Sequence, residues 1–240
     1  MPNASESCRK LYEQIEAATT ERGLDAEQIQ LSADRYRERS AGRDFVTPDA
    51  YRPTGAALGC PLPDDGVSRK VSLVSEELER FLRKAHPAAR SWFAFVPANS
   101  YHVTVVNRGH YDTSKVVSLD DATRRRLAAV VGNYPAIALD LAGIALTRQG
   151  RVIVKCIPRG DDLAMLRELI VRRIPELAEN VPRTAHIKLG HVLLSLTAEE
   201  VSAFIGFAKS FDDVVRGTLL FHDLFTPAGR IPLASAVNEA

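Results

Sequence analysis

The chain has 240 residues, 45% of them hydrophobic, with 31 basic against 30 acidic residues and a formal charge of +1. That content can bury a sizeable core as one large domain or two lobes, while the near balance of charge excludes a global attraction to nucleic acid or membrane and makes any anion binding local. No apolar run approaches the ~18 residues of a bilayer span, the opening Met1-Pro2-Asn3-Ala4-Ser5-Glu6 lacks the blocks of a secretory signal, and Cys8, Cys60 and Cys156 form no Cys-x-x-Cys framework, so a cytoplasmic protein is expected.

Residues 1–55 read as an N-terminal helical extension. Leu11, Ile15 and Ala18 make one helical stripe, and Asp25 to about Ser40 reads as a second, polar helix. Arg35, Arg37, Arg39 and Arg43 form a basic run, read as a solvated face with a binding patch as the alternative. Leu11, Ile15, Leu24, Ile29 and Leu31 need cover, so the extension should pack against the rest of the chain. Prolines and glycines break the stretch from Thr47 to Gly66, apart from a short strand at Ala56 to Cys60.

From Gly66 the pattern becomes regular. Val71, Val74, Leu78, Phe81 and Leu82 predict a helix over Ser68 to Lys84, followed by strands at Trp92 to Val96 and Tyr101 to Asn107 joined through a turn at Pro97 to Ser100. Ser118 with Asp120-Asp121 opens a helix through Val131, and Arg148-Gln149-Gly150 links Ile137–Thr147 to Arg151–Ile157 as a hairpin. A second round begins at Asp161-Asp162, which cap a helix striped by Leu163, Leu166, Ile170 and Ile174. A strand from Thr184 to Leu194 follows, then a helix from a capping-box-like Thr197-Ala-Glu-Glu to Lys209. Val214–Phe221 and Arg230–Leu233 read as a final hairpin-like pair. The repeated order predicts an α+β fold of two pseudo-symmetric lobes of antiparallel sheet with outer helices around a central cleft, occupying residues 56–240.

The chemistry sits in His102-Val103-Thr104-Val105 and His186-Ile187-Lys188-Leu189. In an extended strand i and i+2 share a face, so His102 and Thr104 point one way, and His186 and Lys188 likewise. Two imidazoles of ordinary pKa ~6.5 beside a hydroxyl and an ammonium suit phosphoryl chemistry near neutral pH. His191 reaches the same cleft only if Gly190 introduces a bulge, and a structural role is the favoured reading for it. Arg108 follows the first histidine strand, as a phosphate contact or a solvated cation. His110 lies in the same loop, and His86 and His222 have no partner in sequence. Tyr101 alternates away from His102 into the core. No Walker loop or Gly-x-Ser-x-Gly elbow is present.

The paired motifs resemble those of the two-histidine phosphoesterase superfamily, which carries His-x-Thr/Ser-hydrophobic on the central strands of two lobes. His102-Val-Thr-Val matches in full; His186-Ile-Lys-Leu-Gly matches except that Lys188 stands where Thr or Ser belongs. The resemblance spans about residues 56 to 235. It implies metal-independent, cofactor-free hydrolysis of a phosphodiester, a 2′,3′-cyclic phosphate RNA end or a small cyclic nucleotide, with His102 and His186 as acid and base. Thr104, Lys188, Arg108 and His191 are the substrate-binding candidates. It also implies a nucleotide or RNA end as partner. A noncatalytic nucleotide- or RNA-binding module and an RNA end ligase or cyclase are the alternatives. Lys188 would stabilise charge on phosphorus and, at ~4–6 Å, lower the pKa of His186.

Overall fold

Two helices begin the molecule, whose computed structural model describes residues 4–39, 56–61, 66–87, 93–96, 98, 101–108, 120–177, 181–226 and 229–233. In α1 (Ala4–Arg22) the buried face runs through Cys8, Tyr12 and Thr19. That face is turned from the predicted Leu11–Ile15–Ala18 stripe, whose members are half-buried. A hydrogen bond to the sheet explains the turn: the Tyr12 hydroxyl donates to the Ala185 carbonyl, and the Thr19 hydroxyl is satisfied within the helix by the Ile15 carbonyl, so both polar tips can be buried. Asp25 then caps α2 (Ala26–Arg39), accepting from the Gln28 amide at 3.2 Å.

The remaining elements follow in chain order as β1 (Ala56–Pro61), α3 (Gly66–Ala85), β2 (Phe93–Phe95), β3 (His102–Arg108), α4 (Asp121–Val131), β4 (Ile137–Leu146), β5 (Arg151–Pro158), α5 (Asp162–Arg173), β6 (Ala185–Val192), α6 (Ala198–Lys209), β7 (Gly217–Phe221), β8 (Asp223–Thr226) and β9 (Gly229–Pro232). The Asp120 carboxylate caps α4 through the Thr123 amide at 2.7 Å, and Thr197 with Glu200 closes a reciprocal capping box on α6. Asp161 precedes α5 without capping it by its side chain; its carboxylate accepts from the Ala4 amide and ties down the start of α1. Ser118, His110, the turn from Pro97 to Ser100 except Ala98, and most of Thr47 to Gly66 lie outside the described residues.

Among the described residues nine strands form one antiparallel sheet in the order β7-β4-β5-β6-β3-β1-β8-β9, with β2 on β6. The two lobes are therefore halves of a continuous sheet, joined where Val103 of β3 pairs with Ile187 of β6. The final hairpin departs from the sequence reading. β8 pairs with β9, whereas β7 lies beside β4 in the other half. Alternation alone cannot separate these arrangements, because either leaves Leu219, Phe221, Leu224 and Ile231 buried. Only His222 separates β7 from β8, and one residue spans at most ~3.6 Å, so the sheet curls until its halves meet at that corner.

One face of the sheet carries the main core. Val103, Val105, Val152, Val154, Ile187 and Leu189 pack there with Val74 and Leu78 of α3, Leu127 of α4, Leu166 and Ile170 of α5, and Phe204 of α6. On the other face Cys8 and Tyr12 of α1 cluster with Ala145, Ile153 and Ile157, and Ala33 and Tyr36 of α2 with Ala94 and Leu193.

Candidate active site

The β3–β6 junction brings the two motifs together. Val103, Val105, Ile187 and Leu189 are fully buried in the core, which leaves the half-buried His102, Thr104, His186 and Lys188 on the opposite face. With Val103 paired to Ile187, antiparallel register sets His102 across from Lys188 and Thr104 across from His186. The imidazoles are diagonal neighbours, a relation that spaces residues by ~7–8 Å and keeps long or aromatic side chains in reach of each other.

His186 lies in a cationic environment. Burial first, then the charges of Arg151, Lys188, His102 and Arg167, push its pKa down to about 3. It is therefore neutral at physiological pH, and its Nδ1 meets the Thr184 hydroxyl at 3.1 Å. In the tautomer that donates from Nδ1 to Thr184, Nε2 presents a lone pair, as a base requires.

The N-terminal helices complete the surroundings of these side chains. Lys188 donates to the Tyr36 hydroxyl at 3.1 Å and sits 5.7 Å from the centre of the same ring, within the range of a cation–π contact. This anchor fixes where the cation sits. Lys155, paired across β5–β6 with His186, is held by Glu16 of α1 at 2.6 Å. Neither Tyr36 nor Glu16 is signalled by the sequence, since both belong to long-range contacts from polar helices.

His191 does reach this face. The β5–β6 register shifts between Val152 and Ile153, so that Leu189 is the extra residue and the alternation changes sign before His191. Its ring stands edge-on to Tyr36 at 5.7 Å, and Nε2 lies 2.6 Å from the Gln149 carbonyl. Only 5% exposed, it is pushed well below its ordinary pKa by burial first and Lys188 next. With a carbonyl as its partner, Nε2 is the donor. Arg108 ends β3, but its side chain lies outside the described residues. His86 faces Glu200 at 3.1 Å, away from the motifs, and His222 is exposed at the corner of the sheet.

Arg167 is the structural residue that the sequence reading missed. Its guanidinium donates to the carbonyls of Val105 at 3.0 Å, Thr104 at 2.9 Å and Thr184 at 3.0 Å, linking β3 to the segment entering β6. A signal was present: 163, 167, 170 and 174 follow helical spacing, so Arg167 shares the face of Leu163, Ile170 and Ile174. A cation at an apolar stripe position implies a buried hydrogen-bond clamp.

No family profile and no curated protein sequence matches this chain. Solved structures with a similar fold include a phosphoesterase, 17% identical over 76% of this chain and 100% of its own, with a TM-score of 0.45. LigT of E. coli with NADP+ is 15% identical over 73% of this chain and 87% of its own, at a TM-score of 0.41. Usb1 of Kluyveromyces marxianus is 10% identical over 75% and 99%, at 0.46. At such identities the likeness is one of fold.

Proposed function

We propose that this protein hydrolyses a phosphodiester, a 2′,3′-cyclic phosphate at an RNA end or in a small nucleotide, by two-histidine acid-base catalysis. The observation carrying the reading is the placement of His102, Thr104, His186 and Lys188 on one face of two paired strands, ringed by cations within a chain of almost no net charge. A bound phosphodiester anion opposes the charges of Arg151 and Lys188 and so raises the pKa of His186 from about 3 toward the range a general base needs. His186 then takes the proton from the attacking water, and protonated His102 gives one to the leaving ribose oxygen. Thr104 and Lys188 donate to the nonbridging oxygens as charge builds on them.

His102→Ala and His186→Ala should each lower turnover of adenosine 2′,3′-cyclic phosphate by ~10²–10⁴-fold, with circular dichroism unchanged. Wild-type rates in both variants would refute the reading. Tight binding by the wild type without product would make the face a binding module instead.

A further inference from the structure

A cavity of about 340 Å³ opens beside His186, between α1 and the turn joining β4 to β5. Ile15 and Ala18 of α1 and Ile153 of β5 give it apolar walls, and Arg148 and Arg151 give it two guanidinium groups. The volume falls in the ~300–1,000 Å³ range of small-molecule sites. Apolar walls with convergent cations suit a nucleoside that carries a phosphate.

The turn is held in place before any ligand arrives. Three successive carbonyls are pinned from two sides, the start of α2 and β6: Arg148 by the Asp25 amide at 2.8 Å, Gln149 by His191 Nε2 at 2.6 Å, and Gly150 by the Val192 amide at 2.7 Å. Such locking is what a preorganised binding group requires. Arg148 supplies the second observation. The Asp25 carboxylate stands 4.0 Å from its guanidinium, whose side chain is 34% exposed, while its buried Nε has no hydrogen-bond partner among the described residues. A buried donor left so is rare and calls for an acceptor.

We propose that this cavity is a nucleotide subsite: it takes the nucleoside next to the scissile phosphodiester, and Arg148 with Arg151 grips a second phosphate on it. The substrate class narrows accordingly to nucleotides bearing two phosphate groups, one of them the diester between the histidines. The inference rests on the proposed phosphodiesterase reading for the position of that diester.

Calorimetry on the full chain tests it with two probes, adenosine 2′,3′-cyclic phosphate and the same nucleotide carrying a 5′-phosphate. The 5′-phosphorylated probe should bind at least tenfold tighter, and Arg148→Met should bring the ratio of the two affinities to near one. Ala18→Trp, which fills the cavity from the α1 side, should weaken both probes at least tenfold while thermal melting shows the fold retained. Equal affinities in the wild type, a ratio untouched by Arg148→Met, or undiminished binding by Ala18→Trp would each overturn the subsite. A dinucleotide ending in a cyclic phosphate, tighter than the 5′-phosphorylated mononucleotide, would identify the source as an RNA end; the reverse order would identify a free nucleotide. A 5′-phosphate preference without turnover would keep the subsite and remove the hydrolase, and turnover without the preference would do the opposite.

Discussion

Replacing Arg167 with methionine keeps an apolar stem in the core and removes three donations, to Val105, Thr104 and Thr184. Hydrogen bonds to a charged group contribute ~1.5–3 kcal/mol each, and the carbonyls left behind lose a partner inside the protein. Allowing for some gain from burying methionine and for non-additivity, the loss should be about 3–5 kcal/mol, a large share of the ~5–15 kcal/mol that holds a typical domain. Urea unfolding at pH 7 reads it directly: a slope of about 3 kcal/mol per M turns that loss into a midpoint shift of about 1 M or more. Arg167→Lys keeps the charge, but a single nitrogen cannot span three carbonyls on two segments, so its midpoint should fall between those of the wild type and the methionine variant. Because the clamp fixes β3 against the entry to β6, on the proposed reading both variants should lower kcat for adenosine 2′,3′-cyclic phosphate more than they raise KM when assayed below their unfolding transition. A loss under about 1 kcal/mol for Arg167→Met, with kcat intact, would refute the clamp.

Three further outcomes follow from the same geometry. Since His186 has a pKa of about 3 in the folded protein and ~6.5 unfolded, the unfolded chain binds the extra proton between those values. Stability is then complete above about pH 6.5 and falls on acidification, by about 2 kcal/mol at pH 5, with His191 acting in the same direction; urea midpoints that rose from pH 7 to pH 5 would contradict this. Lys188→Thr should raise the His186 pKa but leave it below the unfolded value, because burial is the largest cause; an NMR titration of the ring protons reads the shift, and no movement would show the ammonium to be irrelevant. Gly150→Ala places a Cβ at φ +79 and against the Val192 carbonyl, so a destabilisation of about 2–4 kcal/mol is expected, and an unchanged melting temperature would count against the pinned turn.

Local patterns gave the element order away. The Arg148-Gln149-Gly150 hairpin, the capping box at Thr197 and the two histidine strands are each encoded within a few residues, and each forms where the sequence places it. Pairing partners for β7 and β8 were not legible, since their burial pattern suits several neighbours and the choice depends on the curvature of the sheet. The stripe of α1 is legible in part: Ile15 packs against the sheet as the spacing predicts, while the deeper burial of Tyr12 depends on the distant Ala185 carbonyl that accepts from its hydroxyl. The shared face of the two motifs could be anticipated from period-two alternation, whereas Tyr36 at Lys188 and Arg167 beneath both strands are contacts between residues far apart in the chain.

The exchange of sides at His222 orders assembly. β4 to β7 occupy one contiguous stretch, so that half can finish its hydrogen bonding as soon as residue 221 has emerged. Its sister half must wait, because β1 has only β3 beside it until β8 arrives. During synthesis β1, the first strand made, therefore waits longest for its second neighbour, and for that interval it presents the bare margin from which mispairing with another nascent chain can start.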